Sequence, residues 1–258
     1  MNMDILSVII LGIVEGVTEF LPISSTGHLI VTDSLLKIVQ SEFSKSFKIT
    51  IQLGAIISVV VLYWKTFVFD WQALKKIAVA FIPTALIGLI LYKFMRSFLL
   101  GSETVAVWSL LLGGIFIIAF ELWYKRKPRA KEEVISYKQA FLIGLIQALA
   151  IVPGVSRSAA TIIAGLALGL NRKTIVEFSF LLAVPTMVAA VGLDLSQQAK
   201  FFTPSESGYL IGGFAISFLA AMAAIKFLLS FIKNNSFIPF GIYRIILALL
   251  FLSKCFRG

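Results

Sequence analysis

The segment EGVTEFLPISSTGH, residues 15–28, places two carboxylates, a run of three hydroxyl residues and the single histidine of the chain within otherwise apolar sequence. Burying that many polar groups is costly unless they have partners or a function. The Pro-Ile-Ser-Ser-Thr-Gly tract interrupts the apolar run, which predicts one helix ending at Phe20 and a second helix beginning at about His28. We interpret the segment as one half of a buried polar site and expect the other half elsewhere in the chain.

The composition is typical of a membrane protein. Of the 258 residues, 59% are hydrophobic and 14% are charged, and the mean hydropathy is +0.97. The surface of a soluble protein does not tolerate so much apolar sequence. The net charge of +10 comes from Lys and Arg in short breaks between apolar runs. This distribution is typical of loop charges that set the orientation of a membrane protein, and it does not form a basic nucleic-acid-binding face. The sequence therefore predicts an all-α polytopic membrane protein with no nucleic-acid partner.

The interruption before His28 indicates a re-entrant structure. The flanking apolar runs, from Ile5 to Phe20 and from about His28 to Leu36, are each shorter than the ~20 residues that a helix needs to cross ~30 Å of hydrocarbon. Non-helical backbone at membrane depth persists only where protein surrounds it or where it lines a wet cavity. We therefore expect a helix–loop–helix that enters and leaves the membrane on one side.

Longer apolar runs follow, and the whole pattern then occurs a second time. In the first half the predicted spans are residues 47–64, 77–94 and 104–123. In the second half a broken apolar stretch, 140–170, precedes predicted spans at 174–193, 208–231 and 236–252. We divide a single integral membrane domain, 1–258, into repeat 1 (about 1–124), a polar connector (about 125–138) and repeat 2 (about 139–258).

A shift of 132 residues aligns the two halves. It matches Gly12 with Gly144, Glu15 with Gln147, Ser24 with Ser156 and Thr26 with Ser158. One re-entrant pair and three spans give an odd number of crossings, so the repeats are predicted to have inverted topology, with broken helices that build a site near the midplane. Thirteen Lys and Arg lie on the connector side and eight on the other, which predicts a cytoplasmic connector and external termini.

The two carboxylates of the first motif are four residues apart. Glu15 and Glu19 therefore share one helical face. Like charges repel in an apolar setting, so either one carboxyl is protonated or both share a cation. Hard divalent ions such as Mg²⁺ or Ca²⁺ prefer such oxygens. The alternative is a pair that faces a water-filled vestibule and has no chemical role.

The hydroxyl run lies close to the histidine. His28 follows Ser25 by three residues, about one helical turn. A hydroxyl beside an imidazole is the minimum for an activated nucleophile. Ser24, Ser25 and Thr26 are also suited to capping the next helix or to satisfying freed backbone groups, and that interpretation stays open.

The second break carries Arg157 between Ser156 and Ser158. A guanidinium gives planar, bidentate recognition of phosphate. The helix predicted to begin near Ala159 would add free backbone N–H groups, with Thr161 as a further donor. The pattern indicates an anion clamp. A structural ion pair between this arginine and a carboxylate of the first motif is the alternative, and the two roles are compatible.

Together these residues favour phosphoryl transfer or hydrolysis on an amphiphilic phosphate ester or diphosphate, whose tail would stay in lipid. The competing interpretation is a polyprenyl-phosphate lipid transporter or flippase, because inverted repeats with broken helices are also a transporter plan. Gln52 and Glu177 are expected near the loops, and Arg244 is interpreted as an anchoring or paired residue rather than a reactive one.

The motifs resemble those of the undecaprenyl-diphosphate phosphatase family, the bacitracin-resistance type. Residues 15–28 match its first signature throughout. The segment PGVSRSAAT, 153–161, matches the second signature with one departure, since the family usually has glycine where Ala159 stands. The segment EFSFLLAVP, 177–185, is also similar to a family segment. The resemblance covers nearly the full chain.

This resemblance implies hydrolysis of undecaprenyl diphosphate to undecaprenyl phosphate and inorganic phosphate, which recycles the carrier lipid for peptidoglycan synthesis. It also implies a divalent cation, bacitracin resistance, and a multi-pass protein of the bacterial cytoplasmic membrane with a site open to the outer face. The implied partners are the polyprenyl diphosphate lipid and membrane lipids. The oligomeric state is left open, and a homodimer is compatible with the sequence.

The resemblance further implies a role for each motif residue. Glu15 and Glu19 correspond to the essential acidic pair, which is also the expected metal site. Ser25 corresponds to the candidate nucleophile, His28 to its base or acid, and Arg157 to the diphosphate clamp. The supporting donors to the substrate are Ser24, Thr26, Ser156 and Thr161, and we expect Ser158 to join them because it adjoins the arginine.

Overall fold

The computed structural model describes residues 3–98, 102–126, 134–198 and 207–255, and these residues are helical apart from short connections. The helices are α1 Ile5–Phe20, α2 Ser25–Leu36, α3 Glu42–Leu62, α4 Trp64–Phe69, α5 Trp71–Phe98, α6 Glu103–Tyr124, α7 Tyr137–Gln147, α8 Arg157–Ala167, α9 Arg172–Gln198, α10 Ser207–Phe231 and α11 Ile238–Cys255, with a 3₁₀ helix, Ala148–Ile151, after α7.

Among the described residues, five helices are long and apolar enough to cross a membrane. Their apolar parts are Glu42–Leu62, Trp71–Leu91, Glu103–Tyr124, Arg172–Leu193 and Ser207–Phe231. Large apolar side chains cover their outer faces, as on α5, where Ile90 is 77% exposed. The prediction of an all-α polytopic membrane protein is confirmed. The sixth predicted span corresponds to α11, whose apolar part, Ile238–Leu252, is shorter than the other five.

Both breaks have the form that the sequence predicts, but each second helix begins earlier than expected. α1 ends at Phe20, as predicted, whereas α2 begins at Ser25 rather than His28. α8 begins at Arg157 rather than Ala159. The reason is the same in both cases: a serine, Ser24 or Ser156, caps the helix through its side-chain oxygen, which accepts from the backbone N–H three residues later.

The connector between the halves is only partly described. α6 ends at Tyr124, and residues 127–133 of the predicted connector lie outside the described residues. α7 then begins after Ser136, whose hydroxyl accepts from the backbone N–H of Gln139 while the Gln139 amide oxygen accepts from the backbone N–H of Ser136. This reciprocal cap fixes the start of the second half.

The first helix of each half packs against a long helix of the other half. α1 packs on α10, whereas α7 packs on α5, and α6 and α11 lie side by side. Glycines allow the closest approaches: a Cβ added to Gly16 would lie 2.4 Å from the carbonyl oxygen of Ser217, and one added to Gly144 would lie 1.8 Å from that of Ala80. α1 and α7 are therefore each packed tightly on one face against a long helix of the other half, and the two breaks contact each other.

Candidate active site

The two breaks enclose a polar cavity of about 200 Å³. We call residues 21–24 the first loop and 152–156 the second loop. The cavity is lined by Glu19, Ser24, Ser25, Thr26, Gln52, Ala150, Val155, Ser156, Arg157, Met187 and Ala190. Six of these residues are predicted site residues, and they come from both motifs. The structure thus brings the two halves of the predicted site together.

A chain of hydrogen bonds crosses this cavity from one motif to the other. The hydroxyl of Ser25 donates to Oε2 of Glu19 at 2.5 Å. The other oxygen of Glu19, Oε1, accepts from Nη2 of Arg157 at 3.3 Å, across 138 residues of sequence. All three side chains are largely buried. The carboxylate is therefore oriented by the guanidinium and is positioned to take the proton of the serine hydroxyl.

Arg157 keeps part of its donor capacity free. Its Nη1 donates to the carbonyl oxygen of Ser179 at 2.8 Å, and its guanidinium lies 6.0 Å from the centre of the Phe20 ring. Its Nε is buried and has no hydrogen-bond partner among the described residues. An unpartnered cationic donor beside a polar cavity is suited to an anionic ligand.

Glu15 lies one turn before Glu19 in α1 and is fully buried. Neither of its carboxylate oxygens has a hydrogen-bond partner among the described residues. Within that part of the chain no group of three or more His, Cys, Asp or Glu residues is placed to hold a metal ion. A divalent cation shared by the two carboxylates would satisfy the orphaned oxygens and would complete its coordination with water or substrate oxygens. The unpartnered oxygens of Glu15 fit such an ion, whereas both oxygens of Glu19 already accept hydrogen bonds from Ser25 and Arg157.

The ring nitrogens of His28 form hydrogen bonds with residues other than Ser25. Its Nδ1 lies 2.7 Å from the carbonyl oxygen of Ser24, which can only accept, so Nδ1 carries a proton. Its Nε2 lies 2.8 Å from the hydroxyl of Tyr243, and the two rings stack 5.5 Å apart at 5°. In the neutral ring the tyrosine hydroxyl donates to Nε2. His28 thus joins α2 to α11, while the serine hydroxyl is bound to Glu19.

The remaining predicted donors divide into two groups. Ser24 and Ser156 line the cavity while capping their helices, and Thr26 lines it with an exposed side chain. Ser158 and Thr161 are not among its lining residues. Their hydroxyls bind protein: Ser158 donates to the carbonyl oxygen of Phe20 at 2.8 Å, which ties the second motif to the end of α1. The hydroxyl of Thr161 lies 2.6 Å from that of Ser179, beside the carbonyl that accepts from Arg157.

A larger apolar groove adjoins the polar cavity. It has a volume of about 710 Å³ and lies among α6, α7 and α8, with lining residues that include Leu112, Phe116, Ile146, Ala160 and Ile163. Val155 and Ser156 line both the groove and the polar cavity. An anionic head held at the cavity could thus continue into a hydrocarbon chain along the groove.

Residues 8–250 match the family described as bacitracin resistance protein BacA. The chain belongs to this family. It is 52% identical over 251 residues to an undecaprenyl-diphosphatase of Sulfurihydrogenibium sp. strain YO3AOP1. That alignment covers 96% of this chain and 98% of the relative. It is 48% identical over 244 residues to one of Aquifex aeolicus, with 94% and 95% covered. The family resemblance inferred from the two motifs is confirmed, and the chain is a multi-pass membrane protein of a family with bacterial members.

The two residues predicted to lie near the loops of this BacA family member have different outcomes. Gln52 does line the polar cavity, whereas Glu177 lies in a separate cavity of about 320 Å³ with Asp70 and Lys76.

Two further residues that contact the site, Ser179 and Tyr243, are not predicted from the sequence. A tyrosine directly before an intramembrane arginine was the only available hint for Tyr243, and a backbone carbonyl such as that of Ser179 leaves no signal.

Proposed function

We infer that this chain is an undecaprenyl-diphosphatase, which hydrolyses undecaprenyl diphosphate to undecaprenyl phosphate and inorganic phosphate. The observation that carries this inference is the hydrogen-bonded series Ser25–Glu19–Arg157, which spans a polar cavity beside an apolar groove. It offers a hydroxyl with a base, a cation for phosphate and space for a lipid tail. The product recycles the carrier lipid for peptidoglycan synthesis, and raised amounts of the protein would confer bacitracin resistance.

The contacts suggest how the reaction proceeds. Ser25 Oγ attacks the terminal phosphorus, its proton moves to Glu19 Oε2, and the bond from that phosphorus to the bridging oxygen breaks to release undecaprenyl phosphate. Water then hydrolyses the phosphoserine and releases inorganic phosphate. Arg157 stabilises the negative charge on the phosphoryl oxygens. Such electrostatic stabilisation accounts for most of the catalysis of phosphoryl transfer. The base in this proposal is Glu19, because it already accepts from the serine, and His28 positions α2.

We propose that Glu15 and Glu19 hold a divalent cation, Mg²⁺ or Ca²⁺. When bound, such an ion supplies positive charge that offsets the charge of the diphosphate. The unpartnered oxygens of Glu15 support this assignment. Without a cation or a proton, a fully buried carboxylate one turn from a second carboxylate would be strongly destabilising.

Removing the cation is expected to abolish phosphate release by the purified protein, and adding Mg²⁺ or Ca²⁺ should restore it. Glu15→Gln keeps the shape of the side chain but removes a charged ligand. The cation concentration for half-maximal activity should therefore rise by about tenfold or more. Glu42→Gln is the matched control, because Glu42 lies at an exposed helix start and pairs with Lys45. Equal cation dependence in both variants would contradict the site.

We propose that the apolar groove holds the prenyl chain next to the phosphates. Its walls are almost entirely apolar, and the second loop separates it from the polar cavity. Burying apolar surface contributes about 25 cal/mol per Å², so the first isoprene units in the groove would contribute much of the substrate affinity. The rest of the chain would lie in the bilayer.

Ala160→Phe is expected to raise KM for the long-chain lipid about tenfold while changing kcat little, because it fills the groove but leaves the polar residues intact. Ala160 lies in α8 and lines the groove without lining the polar cavity. The matched control is Ala223→Phe on the exposed face of α10. Kinetics in detergent with long and short prenyl diphosphates would measure the effect. An unchanged KM in Ala160→Phe would place the tail elsewhere.

We further propose the inverted-repeat topology, with α1–α2 and α7–α8 as re-entrant pairs. Two observations support it: the element order recurs in both halves, and α1 packs on α10 as α7 packs on α5, the exchange expected for repeats related by a pseudo-two-fold axis. The excess of Lys and Arg on the connector side favours a cytoplasmic connector. The site would then open to the outer face of the bacterial cytoplasmic membrane.

Release of inorganic phosphate from undecaprenyl diphosphate by the purified protein in detergent micelles tests the function directly. Detergent removes the barrier between two compartments, so a transporter without chemistry would release none. We expect turnover with the diphosphate lipid and none with undecaprenyl phosphate. Absence of turnover with added cation would favour the transporter alternative over the phosphatase.

A further inference from the structure

Arg244, in the second turn of α11, is the largest fully buried side chain among the described residues, with 1% of its surface exposed. All its acceptors among the described residues are backbone carbonyls. Nη2 donates to Gly154 and Ser109 at 2.9 Å, Nε to Leu110 at 3.3 Å and Nη1 to Pro22 at 3.4 Å. The guanidinium thus binds α6 on one side and both loops of the site on the other.

The two loop acceptors occupy equivalent places. Pro22 and Gly154 are separated by the same 132 residues that align the two halves. Each precedes a residue of the proposed machinery by three positions: Pro22 precedes Ser25, and Gly154 precedes Arg157. One rigid group therefore links equivalent points of the two loops that carry the serine and the clamp.

The guanidinium and the second loop both lie in close contact with α6. A Cβ added to Gly113 would lie 2.2 Å from Nη2 of Arg244. Gly154 has a φ of +89°, which favours glycine, and a Cβ there would lie 2.5 Å from the carbonyl oxygen of Ala106. The second loop therefore presses directly on α6 at the point where Arg244 binds it.

We propose that Arg244 is a positioning residue that sets the separation between the two loops, and thereby the separation between Ser25 and Arg157. Its effect on catalysis rests on the proposed phosphatase function, whereas its effect on the loops does not. Lysine cannot replace it, because a single ammonium group has three donors and cannot reach carbonyls on three segments. Displacements of about 1 Å in a reacting pair cost up to about 10²-fold in rate.

A kinetic double-mutant cycle separates positioning from general destabilisation. Arg244→Lys should lower kcat by about 10- to 100-fold with little change in KM. In an Arg157→Ala background the same substitution should lower kcat by no more than about twofold, because the separation no longer matters once the clamp is absent. Arg172→Lys is the matched control: Arg172 forms a structural pair with Glu121, so any effect should be the same in both backgrounds.

A distance measurement tests the same proposal without relying on activity. Cysteines replace Thr26 and Val155, which line the polar cavity, in a Cys255→Ser background that removes the single native cysteine. The yield with a short bifunctional maleimide should fall when Arg244→Lys is added and stay constant when Arg172→Lys is added. If Arg244→Lys does not yield folded protein, Gly113→Ala displaces the guanidinium from the other side and takes its place in both experiments.

The outcomes separate this proposal from the proposed function. If the wild type releases no phosphate, the phosphatase assignment fails and the cross-linking result alone decides the role of Arg244. If the wild type is active, equal losses from Arg244→Lys in both backgrounds, or an unchanged cross-linking yield, would overturn the positioning role and leave the function intact.

Discussion

Arg157→Ala should lower phosphate release by about 10³-fold, as much as Glu19→Ala, although 138 residues separate the two positions. The substitution removes the cation that would face the phosphates. It also leaves Glu19 as a buried carboxylate without its ionic partner, and removing one member of a buried pair is costly. Steady-state kinetics in detergent with undecaprenyl diphosphate would measure the loss.

Two further variants sharpen this prediction. Arg157→Lys keeps the charge but loses the fork that binds both Glu19 and Ser179, so we expect it to recover little activity. The double variant Glu19→Ala/Arg157→Ala should be little worse than either single variant, because the residues act as a unit. Arg126→Ala, at the exposed end of α6, is the control. Near-normal activity of Arg157→Ala would mean that the second loop is not part of the site.

Features that depend on local sequence could be predicted. Spans follow from long apolar runs, and the breaks follow from Pro22 and from the PGVSRS segment, so the helices occupy nearly the expected positions. The errors of two or three residues at the starts of α2 and α8 have a local cause too. Ser24, for which helix capping is one of the two interpretations, and Ser156, which is expected only as a donor to the substrate, both cap their helices and place each helix start closer to the break.

The pairing of side chains inside the site could not be predicted in the same way. Sequence spacing puts His28 one turn from Ser25, which suggested a serine–histidine pair. Instead, the ring binds Tyr243, which is 215 residues away in the chain. The serine binds Glu19 because the chain reverses at the first loop and brings α2 back beside the end of α1. Such contacts depend on tertiary packing, which no periodicity records.

The sequence also does not indicate which buried polar groups lack a hydrogen-bond partner. The spacing of Glu15 and Glu19 indicates a shared helical face. It does not indicate that both oxygens of Glu19 accept hydrogen bonds, whereas those of Glu15 have no partner among the described residues. That asymmetry distinguishes two residues that look alike in the motif. Glu19 already binds the serine hydroxyl and the guanidinium and is suited to proton transfer, whereas Glu15 would supply unpartnered oxygens to the cation proposed to lie between the two carboxylates.

Ser25→Ala is expected to lower kcat by about 10³-fold or more, because it removes the attacking oxygen and leaves only the electrostatic stabilisation by the rest of the site. The matched control is Thr26→Val, which removes the neighbouring cavity-lining hydroxyl. As a supporting donor, Thr26 should account for a loss of only about tenfold. Rates of phosphate release from both variants, at saturating lipid and cation, would measure the difference.

The stereochemistry at the terminal phosphorus distinguishes attack by Ser25 from attack by a water molecule that Ser25 and Glu19 hold. Attack by the serine and then by water inverts the configuration twice. A substrate with a chiral terminal thiophosphoryl group, labelled with two oxygen isotopes and hydrolysed in water of the third, should therefore give thiophosphate of retained configuration. Direct attack by water inverts it once. The 2.5 Å contact from Ser25 to Glu19 favours the first route, since it places a base on the serine oxygen itself. Inversion, or activity that survives in Ser25→Ala, would eliminate the phosphoserine and leave Glu19 as the base for water.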